Sequence, residues 1–160
     1  MVIREAHKAD KHAINELRKQ VKLLHAAGRP DYFTDDFDQL SADYLNILLM
    51  RENGEILVAE QEDGIVGLAC MEYVDRPATP YRLPMKYCHI EEFVIDEHHR
   101  RQGIGKALFH FIKRRAAERG FRRIELGVWE FNDDALKFYE ELGFCTFKRQ
   151  MEYRESEEET

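Results

Sequence analysis

Residues 88–120, CHIEEFVIDEHHRRQGIGKALFHFIKRRAAERG, join three signals without a gap. His89 to Ile95 is rich in β-branched and aromatic residues and predicts a strand. Asp96 to Gln102 is polar and predicts a turn. Gly103-Ile104-Gly105 then opens a helix whose apolar positions, Ile104, Ala107, Leu108, Phe111, Ile112 and Ala116, recur at i, i+3, i+4. Lys113, Arg114, Arg115 and Arg119 crowd its end, where the macrodipole favours cations, and Gly120 suits a left-handed terminator. A chain with this stretch must fold so that a strand delivers its end to a helix N-terminus. The first N–H groups of that helix lack intrahelical partners, so the junction is an anion site. Arg100, Arg101 and Lys106 add positive charge. The stretch predicts a phosphate-bearing ligand held at Arg101 to Lys106.

Two common phosphate loops are excluded. A Walker A loop places Ser or Thr after its lysine, but Ala107 follows Lys106. A dinucleotide fingerprint needs a third glycine three residues after Gly105, where this chain has Leu108. The pattern present, Arg100-x-x-Gly103-x-Gly105 after a strand, resembles the signature Gln/Arg-x-x-Gly-x-Gly/Ala of the GCN5-related N-acetyltransferase (GNAT) family. Downstream, Asn132-Asp133-Asp134-Ala135-Leu136-Lys137-Phe138-Tyr139-Glu140-Glu141-Leu142-Gly143-Phe144 is similar to that family's second signature, Asn-x-x-Ala-x-x-Phe-Tyr-x-x-x-Gly-Phe. The two stand in the family's order, separated by one helix and one strand.

The resemblance implies an acetyl-coenzyme A-dependent N-acetyltransferase working by direct attack of a primary amine in a ternary complex, with no metal. It implies that Arg100, Arg101, Gln102, Gly103, Ile104, Gly105 and Lys106 hold the pyrophosphate. The main chain of Phe93, Val94 and Ile95 would splay from its neighbour and pair with the pantetheine arm, the Val94 N–H polarising the thioester carbonyl. Asn132 and Phe138 would touch the cofactor, and Tyr139 would protonate the departing thiolate. Structural readings stand beside these: Asn132 is a natural helix N-cap, and Tyr139 fits a core aromatic.

An amine with a pKa near 10 is mostly protonated at neutral pH, so a base or a water chain to one is needed. The candidates are Glu91 and Glu92. Neighbouring strand residues face opposite sides, so at most one reaches the amine unless a bulge intervenes. Ile90-Glu91-Glu92-Phe93-Val94 resembles the acidic pair of polyamine acetyltransferases, which implies that Glu91 faces the substrate. Glu125 and Glu130 stand in reserve. The acidic loop Asp31, Asp35, Asp36 and Asp38 would attract a di- or polycation, or is simply solvated. Cys88 and Cys145 have no evident histidine partner, so no nucleophile is assigned.

The whole chain predicts the order β-α-α-β-β-β-α-β-α-β, an α/β (α+β) fold with a GNAT-type mixed, mostly antiparallel sheet flanked by helices. Val2 to Ala6 reads as a strand, and Ala9-Asp10 opens a helix that runs to about Ala27. A second helix follows from about Ser41 to Met50. Ile56 to Gln61 and Ile65 to Val74 form a hairpin around Glu62-Asp63-Gly64, and Arg122 to Val128 alternates as a strand. Asn132 to Gly143 bounds the last helix, and Cys145 to Tyr153 is predicted as the final strand. The family usually finishes with two strands there, so the last edge is expected to be short or completed by a partner chain.

At 160 residues the chain is most simply one N-acetyltransferase domain over residues 1–153 with an acidic tail at 154–160. The net charge of −7 argues against a nucleic-acid partner and suits a cationic substrate. Three cysteines without pattern fit a reduced, cytoplasmic setting, and no apolar run approaches a membrane span. The expected acceptor is a polyamine or other small cationic amine. The alternatives are an acetyltransferase for protein amino groups and a coenzyme A-binding regulatory module without turnover. A homodimer is compatible with the short C-terminus.

Overall fold

The structure is a computed structural model that describes residues 1–37 and 46–155. Its elements are strand β1 (Val2–Glu5), helix α1 (Lys11–Gly28), a helical turn α2 at residues 46–49, and strands β2 (Gly54–Gln61), β3 (Gly64–Arg76) and β4 (Met85–Ile95). Helix α3 (Ile104–Glu118), strand β5 (Ile124–Leu126) and helix α4 (Asp133–Glu141) follow. The start of the second predicted helix, with Asp38 and Ser41, lies outside the described residues. The chain divides into two compact units, Met1–Gly127 and Val128–Thr160.

The first unit is one sheet in the order β1-β2-β3-β4-β5. All pairings are antiparallel except β4 with β5. The hairpin forms where predicted, with Gln61 opposite Gly64. Strand β2 is buried on both faces from Ile56 to Ala59. Helix α1 covers one face, packing Ile14 and Leu17 with Ile56, Val58, Leu68, Cys70 and Val94. The start of α3 covers the other, Ile104 packing with Ala59, Val66, Ile3 and Ile95. The α3 stripe emerges as Ile104, Leu108, Phe109, Ile112 and Ala116. No helix among the described residues is long and apolar enough to cross a membrane.

Two bulges break the alternation that sequence reading relies on. In β3, Ala59 faces Gly67 and Glu60 faces Ile65, so Val66 is an extra residue and turns to the α3 face. In β4, Cys70 faces Glu92 and Met71 faces Ile90, so Glu91 is extra. A bulged strand re-aims every side chain beyond it.

The final strand predicted over Cys145 to Tyr153 does not form; residues 145–155 are neither strand nor helix. Phe147, Met151 and Tyr153 are exposed. Among its described residues, the second unit has no strand for this segment to pair with, and alternation without a ladder leaves main-chain groups to water.

Candidate active site

The site begins at the edge of β4. The parallel ladder to β5 runs from Cys88↔Ile124 to Ile90↔Leu126 and stops. Glu91–Ile95 continue beyond it along β3. The Asp96 N–H donates to the Val66 carbonyl at 2.9 Å. Main-chain groups alternate sides, so Val94 also turns its groups toward β3, while Phe93 and Ile95 turn theirs the other way. On this register the Val94 N–H, expected at the thioester carbonyl, faces β3. Phe93 and Ile95 present main-chain groups to the side that β5 has left.

Beyond β4 the chain turns sharply into α3. Arg101 has φ 59°, the one positive φ among the described non-glycine residues. A left-handed conformation costs a residue with a Cβ about 1 kcal/mol or more, so the surroundings hold it there. Gly103 has φ 81° and stands as the N-cap of α3 without a side-chain cap. The first helical bond is Ala107 N–H to the Gly103 carbonyl at 3.0 Å. The N–H groups of Ile104, Gly105 and Lys106 thus precede the helical ladder. Left-handed Gly103 running into a right-handed helix makes a concavity of donors on a positive dipole end. This suits a pyrophosphate. Arg100 is drawn back instead, its Nε donating to the Ile95 carbonyl at 3.1 Å.

The turn between β4 and the loop is anchored from two sides. His99 Nδ1 meets Asp96 Oδ1 at 2.8 Å and Nε2 meets Asp63 Oδ2 of the β2–β3 hairpin at 3.0 Å. Gln20 of α1 donates to Asp96 Oδ2 at 2.8 Å and accepts from the Glu97 N–H at 3.1 Å. The Asp96 carboxylate, then that of Asp63, holds the His99 imidazole above its usual pKa.

The bulge at Glu91 lets consecutive carboxylates share the α1 face. Arg18 of α1 donates from Nε to both Glu92 oxygens, at 3.1 and 2.9 Å. Arg51, just past α2, donates from Nη1 to Glu91 Oε1 at 2.6 Å. Strict alternation allowed only one of the two glutamates onto this face; the extra residue admits both. The loop position of Arg51 is tight: a Cβ on Gly54 would lie 3.1 Å from Arg51 Cβ and 3.2 Å from the Leu48 carbonyl. Sequence reading missed both arginines. Arg18 had a faint signal, lying beside Leu17 and four residues after Ile14 at the border of an apolar stripe; Arg51 had none.

Two of the remaining carboxylates are held in ion pairs. Glu125 pairs with Arg123 at 2.6 Å. Asp31 pairs with Arg29 at 2.9 Å, and Arg29 lies over the Tyr32 ring at 5.5 Å. Burial pushes the Cys88 thiol up to about 12, which keeps it a poor nucleophile.

The second unit carries the other signature. Asn132 Oδ1 accepts from the Ala135 N–H at 3.2 Å, so the N-cap reading is correct. Asp133 and Asp134 occupy the first turn, as the dipole favours. At the other end Gly143 has φ 93°. The Gly143 N–H donates to the Glu140 carbonyl at 2.9 Å, and the Phe144 N–H to the Tyr139 carbonyl at 3.0 Å. This is a Schellman stop, whose usual apolar contact is here Phe144 on Tyr139, ring centroids 5.6 Å apart. Phe138 flanks the same ring at 5.4 Å. The Gly-Phe of the signature therefore orients the tyrosine, and burial pushes its phenol up to about 12.

Comparison with known proteins gives the same picture. The acetyltransferase (GNAT) family profile matches residues 17–144. Human N-acetyltransferase 8 is 30% identical over 110 residues, which are 68% of this chain and 44% of that protein. L-ornithine N5-acetyltransferase NATA1 of Arabidopsis thaliana is 35% identical over 72 residues, 45% of this chain and 32% of that protein. The chain thus spans less than half the length of these curated relatives. Among solved structures, a tetramutant of the BH1408 protein from Bacillus halodurans superposes with a TM-score of 0.93 at 30% identity, covering 96% of this chain and 99% of that one.

Proposed function

This chain belongs to the GNAT acetyltransferase family, and from that premise we propose that it transfers an acetyl group from acetyl-coenzyme A to the primary amine of a small molecule. One observation carries the reading: β4 outruns its β5 ladder and leads through the turn at residues 96–103 into an uncapped helix N-terminus. Such a junction offers main-chain pairing for an extended arm and donors for its pyrophosphate. The relatives named for N-acetyltransferase and ornithine acetyltransferase activity support an amine acceptor.

Bound acetyl-coenzyme A would supply an activated thioester. In this proposal the N–H groups of Ile104, Gly105 and Lys106 receive its pyrophosphate, with Arg101 and Gln102 bordering the loop. Phe93 and Ile95 align the arm along β4 and Phe93 N–H polarises the carbonyl, as developing charge on that oxygen requires. Glu91 draws the ammonium, which loses a proton to water before attack. The N–C bond forms, the C–S bond breaks with the sulphur keeping the electron pair, and the nitrogen gives its second proton to solvent as the amide forms. Tyr139, whose phenol is protonated throughout the neutral range, gives that sulphur its proton and recovers one from solvent. Asn132 and Phe138 support the helix that presents Tyr139.

The test is titration calorimetry with acetyl-coenzyme A beside Gly103→Asp, which places a side chain and a negative charge at a φ of 81°. Expected is micromolar binding by the wild type and its loss in the variant, with thiol release on adding an amine. Absence of wild-type binding would overturn the proposal. The two arginine-held carboxylates favour a second reading, a coenzyme A-binding module without turnover. Turnover with any amine would exclude it.

A further inference from the structure

Resting on the acetyl-coenzyme A site proposed above, we infer that His99 is a positioning residue for that site: its second ring proton ties the pyrophosphate loop to the β2–β3 hairpin, so cofactor affinity depends on whether the ring holds that proton. Residues 96–103 lead from β4 to the N–H groups of Ile104, Gly105 and Lys106. The segment is well anchored at its start. The Asp96 N–H donates to the Val66 carbonyl, and Gln20 of α1 holds the Asp96 carboxylate and the Glu97 N–H. Past Glu97 the anchors thin out. Gln102 donates to the His98 carbonyl within the segment, Arg100 reaches back to Ile95 of β4, and His99 reaches Asp63 of the hairpin. Two left-handed residues follow, Arg101 at φ 59° and Gly103 at φ 81°. A residue with a Cβ stays in that region only when its surroundings over-determine it.

Both nitrogens of the His99 ring face a carboxylate oxygen, Nδ1 that of Asp96 at 2.8 Å and Nε2 that of Asp63 at 3.0 Å. A neutral imidazole carries one N–H and one lone pair, so it donates to one of the two and sets a lone pair against the other. The doubly protonated ring satisfies both. Asp96, then Asp63, are the charges that favour this form. Other charged groups stand around the corner. Glu62 and Met1 line a hollow with Asp63, Glu97 lies 3.5 Å from exposed His98, and Glu16 precedes Gln20 by one turn of α1. The two contacts of the ring are unequal. Asp96 is 19% exposed and also accepts from Gln20 and the His98 N–H, whereas Asp63 is 61% exposed. When the ring gives a proton to solvent it keeps the Asp96 bond, and the tie to Asp63 is released. The ligand must then order the loop itself, which lowers affinity. By linkage, bound cofactor makes His99 hold its proton more tightly.

The experiment is titration calorimetry with acetyl-coenzyme A at a series of pH values upward from the ordinary histidine value of about 6.5, on wild type, His99→Gln and Asp63→Asn. Expected for the wild type is a Kd that rises by about fivefold or more with pH, the lower end of couplings between sites. His99→Gln should bind at the weaker, high-pH level throughout. Asp63→Asn, a change at an exposed hairpin position, should flatten the slope without touching the loop. A slope unchanged in His99→Gln would assign the titration to another group or to the ligand's own phosphate. A slope unchanged in Asp63→Asn would mean that the ring acts on the ligand by charge alone. Either result overturns the inference, as does wild-type binding independent of pH, and all three leave the acetyl-coenzyme A site standing. No binding by the wild type at any pH overturns that site and the inference with it.

Discussion

Tyr139 is oriented by its neighbours in the chain, between Phe138 and the Phe144 ring that the helix stop folds back onto it. Tyr139→Phe removes one oxygen and keeps that packing. It should lower kcat roughly 10²-fold while leaving acetyl-coenzyme A affinity unchanged, read by steady-state thiol release beside calorimetry. His99 is a second residue whose chemistry its partners set. Asp96 and Asp63 raise its pKa, so the folded state holds the proton more tightly than the unfolded chain does. That contribution to stability is fully present below the unfolded pKa and is lost as pH rises through the folded one. The stability gap between wild type and His99→Gln in urea melts should therefore be widest below the unfolded histidine value of about 6.5 and should narrow as pH rises above it. A gap independent of pH would assign the interaction to neutral hydrogen bonding.

At the scale of elements, α4 is bounded by its own residues at both ends. Asn132→Ala removes the bond to the Ala135 N–H and should cost about 1 kcal/mol. Gly143→Ala forces a Cβ into φ 93° and should cost about 1 kcal/mol, seen as a thermal midpoint lowered by a few degrees. Gly143→Ala should also lower kcat more than Asn132→Ala does, because it disturbs the Phe144 contact on Tyr139. Equal kcat effects would mean that the stop motif does not orient the tyrosine. The bulge in β4 works differently. Nothing in Ile90-Glu91-Glu92-Phe93 announces it, since bulging depends on what β3 offers across the ladder.

At the scale of the first unit, a buried carboxylate ties helix to sheet. Glu55 of β2 is 7% exposed. It accepts from the Tyr73 hydroxyl at 2.6 Å and from Arg115 Nε at 2.8 Å, with Arg119 at 3.5 Å. Arg115 also reaches Glu5 of β1, and Arg119 lies over the Tyr73 ring at 4.7 Å. The C-terminal basic cluster of α3 therefore serves more than the helix dipole. Glu55→Gln leaves two guanidinium groups without a buried counter-charge; because both are partly exposed, about 2 kcal/mol is expected rather than the full cost of a broken buried pair. Urea denaturation should show a lower midpoint at unchanged slope.

By itself the sequence determined what depends on neighbours in the chain. The α3 stripe, the Gly103 turn, the β2–β3 hairpin, the Asn132 cap and the Gly143 stop are all local, because hydrogen bonds and φ preferences act within a few residues. Together with two ordered signatures they sufficed for the fold class and the family. Tertiary structure alone decided what depends on pairing across the sheet. It placed the bulges at Val66 and Glu91, turned the main-chain groups of Phe93 and Ile95 away from β3, and left Cys145 to Tyr153 without a ladder. It also brought Arg18 and Arg51 to the two glutamates across 74 and 40 residues of chain. Such partners share no sequence period, since the chain between them is folded away and only packing fixes who meets whom.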